Sequence, residues 1–344
     1  MKIRNNVNKT SLFKKIFIKI CRIFGFEIID QSNFYIPTQK KFLNENLNIQ
    51  GKKSINLPLG EIKISRNVKS FSILFRSCTN VNMLTQNKKR LFDKDKSEYT
   101  FRSLNSIIVS VNQAKKLFPQ INFNITVIDH NSKKDDINCI EKLLNKSGLK
   151  NSLINLDLNE FSNKIKKINE KKEKTTINQI SNMSNIYKSL LTAKDQCDDL
   201  VYFVEDDYLH TSDSIIEMIL TYERISSQLN KELILCPSDY PYLYTKVDST
   251  SIFLGSNKHW RKVSESLCTF CTSKILLEKH WAKFISMCEF EHYPFEKPLH
   301  DIYELEHCLS PIPSLALHVT NVNSIFGLSP NIDWKNLWEE NKNY

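Results

Sequence analysis

The chain has 344 residues, of which 25% are charged and 41% are hydrophobic, so its composition is that of a globular protein rather than a disordered one. Its formal net charge is +10, and residues 1–70 carry all of it, with 14 Lys and Arg against four acids. Because residues 71–344 are neutral overall, the composition argues against nucleic acid as a partner of the core.

Residues 11–26 have the pattern of a basic amphipathic helix, because bulky apolar side chains fall on one face and basic side chains fall largely off it. The apolar residues are Phe13, Ile16, Phe17, Ile20 and Phe24, and the basic ones are Lys15, Lys19 and Arg22. Such a helix suits an anionic membrane surface, and packing on the protein's own core is the alternative. We therefore expect residues 1–30 to form this helix and residues 31–70 to form a polar connector.

Three further features bear on the cellular compartment. The nine cysteines are scattered, and the pair Cys268 and Cys271 lacks a second pair or a histidine at zinc-finger spacing, so reduced thiols are expected. Lys19 and Arg22 interrupt the apolar stretch 16–26, which has no small-residue cleavage site. No apolar run is long enough to span a membrane. These features predict a cytoplasmic protein, held peripherally on the inner face of the membrane if the N-terminal helix binds lipid.

Strand and helix patterns alternate from residue 71 onward. This spacing predicts a parallel sheet with helices on both faces, whose ligands bind beyond the carboxyl ends of the strands. Strands are predicted at 71–75, 123–128, 152–156 and 200–204, and helices at 103–117, 137–144 and 177–193.

Three consecutive carboxylates follow the strand predicted at 200–204. Glu205, Asp206 and Asp207 would repel one another at the end of a buried strand unless a cation neutralised them. In an extended chain Glu205 and Asp207 point to the same side, so both could reach one metal ion. Mg²⁺ and Mn²⁺ favour oxygen ligands and are commonly shared with substrate phosphates. The triplet therefore predicts a metal–phosphate site, and a solvated acidic turn is the alternative.

The order of these segments resembles the nucleotide-sugar half of a GT-A fold glycosyltransferase, nearest to the family 2-like group. The resemblance covers about 71–335, with a nucleotide-sugar half at about 71–210 and an acceptor half at about 211–335. Asp129 matches an aspartate that hydrogen-bonds the nucleotide base in that family, although His130 and Asn131 depart from the usual motif. The acidic triplet matches the DXD motif. This match implies Asp207 as the metal ligand, Glu205 near the ribose or a metal-bound water, and Asp206 turned into the scaffold at the donor site.

The resemblance implies an α/β GT-A (Rossmann-like) fold with a mostly parallel central sheet flanked by helices. It also implies a metal-dependent enzyme of the inverting type, which uses Mn²⁺ or Mg²⁺. The enzyme would transfer a sugar from a nucleotide-sugar donor, expected to be UDP-linked, to a saccharide or lipid-linked acceptor in surface-glycan synthesis. A nucleotidyltransferase on a related fold is one alternative, but residues 76–80 lack the glycines of its phosphate loop. An inactive membrane-associated scaffold is the other.

The acceptor hydroxyl must lose a proton to a positioned carboxylate or histidine. In inverting relatives this base lies at a helix start near the acceptor, and Asp301 is the matching candidate. The alternative for Asp301 is the N-cap of a helix over 302–308. His318 is placed like a histidine that several GT-A enzymes bring back to the metal, and a structural role is its alternative.

The other predicted contacts divide between the two substrates. The alternative to a donor contact of Arg76 is a surface salt bridge, and the alternative to an acceptor contact of Thr269 is a packing role. The donor contacts are Arg76, Asn185 and Lys188, and the acceptor contacts are Asp239, Tyr242 and Thr269.

Overall fold

The computed structural model describes residues 12–26, 54–56, 60–80, 90–245 and 249–344. They fall into two compact units, Met1–Ile64 and Ser65–Tyr344. The first unit contains helix α1 (Leu12–Ile23) and the antiparallel strands β1 (Ser54–Asn56) and β2 (Gly60–Ile62). Most of the connector predicted at 31–70 lies outside the described residues.

Helix α1 forms within the segment that the sequence pattern indicates. Its apolar side chains are exposed, with Phe13 at 84% and Phe17 at 57%. None of the helices in the described part of the chain has the length and apolar character needed to cross a membrane. The helix thus exposes its apolar face.

The second unit contains the remaining helices and strands. The helices are α2 (Lys96–Leu117), α3 (Lys134–Lys146), α4 (Ile177–Gln196), α5 (Ser214–Leu229), α6 (Lys274–Lys279), α7 (Trp281–Glu289), α8 (Lys297–Tyr303) and α9 (Trp334–Glu340). The strands are β3 (Ser70–Ser77), β4 (Asn122–Asp129), β5 (Lys150–Asn155), β6 (Leu200–Glu205), β7 (Tyr208–His210), β8 (Leu233–Leu235), β9 (Ile252–Leu254), β10 (His259–Lys262), β11 (Phe270–Ser273), β12 (His307–Ile312) and β13 (Ala316–His318).

The central sheet has the strand order β5-β4-β3-β6-β11-β8-β12-β10-β9 among the described residues. Strands β5, β4, β3 and β6 are all parallel, as the strand–helix alternation predicts. Strand β11 runs antiparallel to both β6 and β8, and β10 runs antiparallel to β12 and β9. The predicted α/β fold class is confirmed, with the parallel strands concentrated in the first half of a mixed sheet.

Both faces of the inner strands β3 and β6 are buried, which explains their continuous apolar runs. Side chains alternate along β3, so that Phe71, Ile73 and Phe75 pack into one core cluster and Leu74 packs into the other. Residues of α2, α3 and α5 belong to the first cluster, and residues of α4, α6, α7 and α8 belong to the second. The site described below lies where the parallel strands end.

A second, two-stranded sheet brings the C-terminal part of the chain to the acidic triplet. Strand β7 begins directly after the triplet and pairs antiparallel with β13, with His318 opposite Tyr208. The Val319 N–H also donates to the Asp207 carbonyl at 3.0 Å. This pairing places His318 beside Asp207, although 110 positions separate them in the chain.

The helix predicted at 302–308 is wrong in position. Helix α8 begins at Lys297 with Glu296 as its N-cap, and Pro298 occupies its first turn, where a missing N–H costs nothing. Residues from His307 onward form β12, which pairs parallel with β8 inside the sheet. Asp301 is therefore an interior residue of α8 and not its cap.

Candidate functional site

The carboxyl ends of β3 and β6 border a cavity of about 300 Å³. The first turns of α4, the segment 90–96, residues 267–268, residues 295–296 and residues 318–321 contribute to its wall. This is the edge of the sheet at which ligands bind in parallel α/β folds. Six of the predicted site residues line it, namely Arg76, Asn185, Glu205, Asp206, Asp207 and His318.

Asp207 and His318 face each other in the cavity wall. His318 Nε2 lies 3.4 Å from Asp207 Oδ2, and the Thr320 hydroxyl donates to the same oxygen at 2.5 Å. His318 Nδ1 lies 2.9 Å from the Phe326 carbonyl oxygen. A carbonyl only accepts, so Nδ1 carries a proton, and Nε2, which also lies 3.0 Å from the Thr320 hydroxyl oxygen, is the nitrogen that faces Asp207. A histidine oriented in this way by a backbone carbonyl is typical of metal sites.

The two side chains shift each other's protonation. Burial would raise the pKa of Asp207, but the charge of His318 holds it well below its usual range. Burial lowers the pKa of His318, whereas Asp207 raises it, and the net direction is upward. Without a metal the pair is therefore an ion pair, and a divalent cation at Nε2 would displace its proton.

The donor set at Asp207 and His318 fits a divalent cation that is shared with a substrate. Two ligands at adjacent corners of an octahedron, each about 2.1 Å from the ion, are about 3 Å apart, close to the observed separation of Oδ2 and Nε2. Among the described residues, no group of three or more His, Cys, Asp or Glu side chains is gathered for a metal. The remaining ligands would then come from phosphate and water, as is usual for Mg²⁺ and Mn²⁺.

Glu205 is held between two neighbours at the end of β6. Its Oε1 lies 3.0 Å from Arg76 Nη2, and Arg76 Nη1 donates to Asn182 Oδ1 at 3.0 Å. The Thr269 hydroxyl donates to Glu205 Oε2 at 3.2 Å and accepts from the Glu205 N–H at 3.1 Å. Thr269 is fully buried, so it supports Glu205, and the structure does not place it where it could bind an acceptor.

Asp206 turns away from Asp207 and into α2. It pairs with Lys96 and accepts hydrogen bonds from the Thr100 hydroxyl at 2.8 Å and the Cys78 N–H at 3.2 Å. Burial lowers the pKa of Lys96, but the charges of Asp206 and Asp207 together with the hydrogen bond to Asp206 raise it, and the net direction is upward. Sequence reasoning missed Lys96 because the predicted helix begins at residue 103, about two turns after the start of α2.

Asp129 is not among the described residues that line the cavity, and its predicted contact with the nucleotide base stays a prediction. Its carboxylate accepts from the Ser77 hydroxyl at 2.6 Å and from both the hydroxyl and the N–H of Ser132. The residue is only 3% exposed, and burial raises the pKa of its carboxyl group. Asp129 joins the ends of β3 and β4, and a hydrogen bond to a nucleotide base would require it to be accessible.

Helix α4 presents a row of neutral polar side chains to the cavity. Ser181 and Asn182 follow Asn178 by three and four positions, and Asn185 follows them by four and three, so the four side chains share one face of the helix. The Asn185 amide donates to the Ile128 carbonyl at 3.0 Å, which fixes its orientation. The sequence analysis named only Asn185, although the same helical spacing identifies the others.

Lys188 does not reach the cavity. It lies three positions after Asn185, about 4.5 Å further along the helix axis, and it pairs with Glu160 at 3.0 Å. The structure therefore places Lys188 in an ion pair away from the cavity lining, and its donor contact stays a prediction.

The predicted acceptor contacts Asp239 and Tyr242 lie inside the protein. Asp239 is completely buried, where it pairs with Arg261 and accepts a hydrogen bond from the Tyr244 hydroxyl. Tyr242 is also buried, and its hydroxyl donates to the Glu265 carbonyl at 2.6 Å. These contacts fix the chain after β8 and leave neither side chain available to a sugar.

Asp301 lies outside the cavity wall as well. It pairs with Lys297, one turn earlier in α8, at 3.0 Å. The carboxylate that α8 does bring to the cavity is Glu296, its N-cap. Pro298 is the sequence signal that could have identified it, because proline in a first helical turn places the helix start just before it.

No family model and no curated protein matches this chain. Among solved structures, it is similar to a UDP-glucose pyrophosphorylase complexed with UDP-glucose, at 7% identity and a TM-score of 0.36 over 80% of this chain and 97% of that one. It is similar to a cytidylyltransferase from Leptospira borgpetersenii, at 14% identity and a TM-score of 0.36 over 80% and 86% of the two chains. It is also similar to the galactosyltransferase LgtC in complex with donor and acceptor sugar analogs, at 11% identity and a TM-score of 0.34 over 79% and 95%.

These structures belong to the two enzyme classes, glycosyltransferases and nucleotidyltransferases, that the sequence analysis named. At such identities the similarity concerns the fold alone. The function is therefore argued from the side chains of the cavity.

Proposed function

We propose that the protein is a metal-dependent glycosyltransferase that moves a sugar from a UDP-linked donor to a saccharide or lipid-linked acceptor in surface-glycan synthesis. The observation that carries this proposal is the pair Asp207 and His318 in a cavity at the carboxyl ends of the parallel strands. The polar face of α4 supports it, because amides and hydroxyls are the groups that hydrogen-bond neutral sugar hydroxyls.

The side chains around the cation site have separate tasks. Asp207 supplies a negative charge, Thr320 orients its carboxylate, and the Phe326 carbonyl holds His318 in the required tautomer. A bound Mn²⁺ or Mg²⁺ would stabilise the charge that develops on the leaving diphosphate. Arg76 and Lys96 neutralise Glu205 and Asp206, so that the site is not left with a cluster of unpaired acids.

We assign the general base to Glu296 and not to Asp301. Transfer with inversion needs a carboxylate within hydrogen-bond reach of the acceptor hydroxyl. Glu296 lines the cavity, whereas Asp301 pairs with Lys297 outside it. Phe295 lies beside Glu296 in the same wall.

A nucleotidyltransferase is the rival function, and the loop after β3 argues against it. Such an enzyme holds phosphates with free backbone N–H groups in this loop. Here the Cys78 N–H donates to Asp206 at 3.2 Å, and the Thr79 N–H donates to the Ser132 hydroxyl at 2.9 Å. In the described part of the loop these two donors are therefore already used by the protein.

Helix α1 supports a second element of the proposal, which is binding to an anionic membrane surface on the cytoplasmic side. Its exposed apolar side chains include Phe13 and Phe17, and Lys19 and Arg22 are exposed on the same helix. The positive net charge of residues 1–70 complements anionic lipid headgroups. A lipid-linked acceptor would then be presented at the surface that holds the enzyme.

A thermal-shift screen of nucleotide sugars, with and without Mn²⁺, tests the proposal. A saturating UDP-sugar should raise the melting temperature by a few degrees, and only when Mn²⁺ is present. A shift produced by a nucleoside triphosphate together with a sugar phosphate, but by no nucleotide sugar, would favour the nucleotidyltransferase. The absence of any Mn²⁺-dependent shift would refute both.

A further inference from the structure

The charged side chains of the cavity are mostly paired with one another. Arg76 contacts Glu205 at 3.0 Å, and Lys96 pairs with Asp206. Both cations are therefore paired with carboxylates, one on the last residue of β6 and one on the residue after it. The remaining cation of the described lining is Arg90, which makes no ion pair with any described residue.

Arg90 is held in place by its neighbours in the chain. The Leu91 N–H donates to the Val319 carbonyl at 3.2 Å, which ties this segment to the residue between His318 and Thr320. The guanidinium carbon of Arg90 lies 5.9 Å from the centre of the Tyr99 ring. Arg90 thus borders on the same short segment that supplies His318 and Thr320 to the cation site.

Aromatic packing fixes the segment further. The N–H and the carbonyl of Phe92 both bind the Tyr99 hydroxyl, at 2.6 Å and 2.7 Å. The Phe92 ring stacks on Trp338 of α9 with a centroid distance of 4.0 Å. A cation on so firmly anchored a backbone loses little conformational freedom when it binds an anion.

The exposure of Arg90 indicates where its ligand would bind. Its Nε is buried and has no hydrogen-bond partner among the described residues, while the side chain as a whole is partly exposed and lines the cavity. The guanidinium is therefore accessible at its far end, where its amino groups can bind two oxygens of one phosphate.

We propose that Arg90 binds the diphosphate of the nucleotide donor, beside the cation held by Asp207 and His318. The inference rests on the proposed function for the identity of its ligand. Arg90 would stabilise the leaving diphosphate in the same way as the metal does, by a charge already oriented before the reaction.

Isothermal titration calorimetry in the presence of Mn²⁺ tests this role with UDP, inorganic pyrophosphate and uridine. Arg90→Gln should weaken UDP and pyrophosphate binding roughly 10- to 100-fold, the scale of lost charge-assisted hydrogen bonds, and leave uridine binding unchanged. Arg90→Lys should lie between the wild type and Arg90→Gln, because it keeps the charge but loses the forked geometry. Lys142→Gln, which removes an exposed charge from α3, is the matched control and should bind as the wild type does.

The outcomes distinguish a failure of the role proposed for Arg90 from a failure of the proposed function. Wild-type affinity for UDP and pyrophosphate in Arg90→Gln would overturn the role of Arg90, as would an equal loss of uridine binding, which indicates damage to the fold. If the wild type binds pyrophosphate but not UDP, the proposed donor is wrong, while a loss of pyrophosphate binding in Arg90→Gln still supports the phosphate site. If the wild type binds neither, both proposals are overturned.

Discussion

Replacing Asp207 by asparagine is the sharpest perturbation of the proposed cation site, because it removes one charge with almost no change in shape. Thr320 can still donate to the remaining amide oxygen, and His318 can lose its proton, so no buried charge is left unpaired. We therefore expect the fold to be retained. The cation, in contrast, loses one of its two protein ligands and the only one with a full negative charge.

The magnitude follows from the role of Asp207 as a direct ligand. Removing a residue that merely orients a metal ligand commonly lowers metal affinity by about 10- to 100-fold. Loss of the charged ligand itself should exceed this range, so we expect Mn²⁺-dependent UDP affinity to fall by more than about 100-fold, or roughly 2.7 kcal/mol.

Calorimetric titration of UDP, with Mn²⁺ and with a chelator, measures this effect. Asp195→Asn makes the same chemical change on the exposed end of α4 and should behave as the wild type does. The wild type and Asp207→Asn should become similar once the metal is chelated. Unchanged UDP affinity in Asp207→Asn with Mn²⁺, at a normal melting temperature, would refute the metal assignment.

Three further predictions follow from the site and from α1. Because the pKa of His318 is raised, its ion pair with Asp207 should stabilise the metal-free protein below the usual histidine pKa of about 6.5, and this contribution should disappear as the pH rises through the raised value. Mn²⁺ affinity should increase over the same range, and a flat profile would contradict the metal role of His318. Glu296→Gln should cut transfer by roughly 100-fold or more with donor binding retained, whereas Asp301→Asn should stay near wild type; the reverse result would restore Asp301 as the base. Deleting residues 1–30 should abolish co-sedimentation with anionic liposomes at low salt without changing turnover on a soluble acceptor, and equal co-sedimentation of both forms would exclude α1 as the membrane contact.

The parts of the fold that could be predicted are those encoded by local periodicity. The apolar runs of β3, β4 and β6 are long enough to show strands buried on both faces, and their spacing with α3 and α4 indicates a parallel sheet. The acidic triplet was recognised because it directly follows β6. The predicted helix start at residue 302 is wrong because Pro298 marks the first turn of α8.

The predictions for single side chains were less complete, because they depend on partners that are distant in the sequence. The pairing of Asp239 with Arg261 buries a carboxylate that appears free in the sequence. Ser77 and Ser132 occupy the carboxylate of Asp129 in the same way. The type of a residue at a strand end indicates which chemistry its side chain can carry out. Tertiary contacts decide whether that side chain is exposed to a ligand.

The release of UDP from a UDP-sugar tests the central claim most directly. The wild-type protein, incubated with the UDP-sugar that gives the largest thermal shift, should release UDP slowly by hydrolysis when Mn²⁺ is present and faster when an acceptor is added. Chelation of the metal or the change Asp207→Asn should abolish the release. UDP release at the same rate with and without Mn²⁺, or none with any nucleotide sugar, would contradict the proposal that this cavity is the active site of a metal-dependent glycosyltransferase.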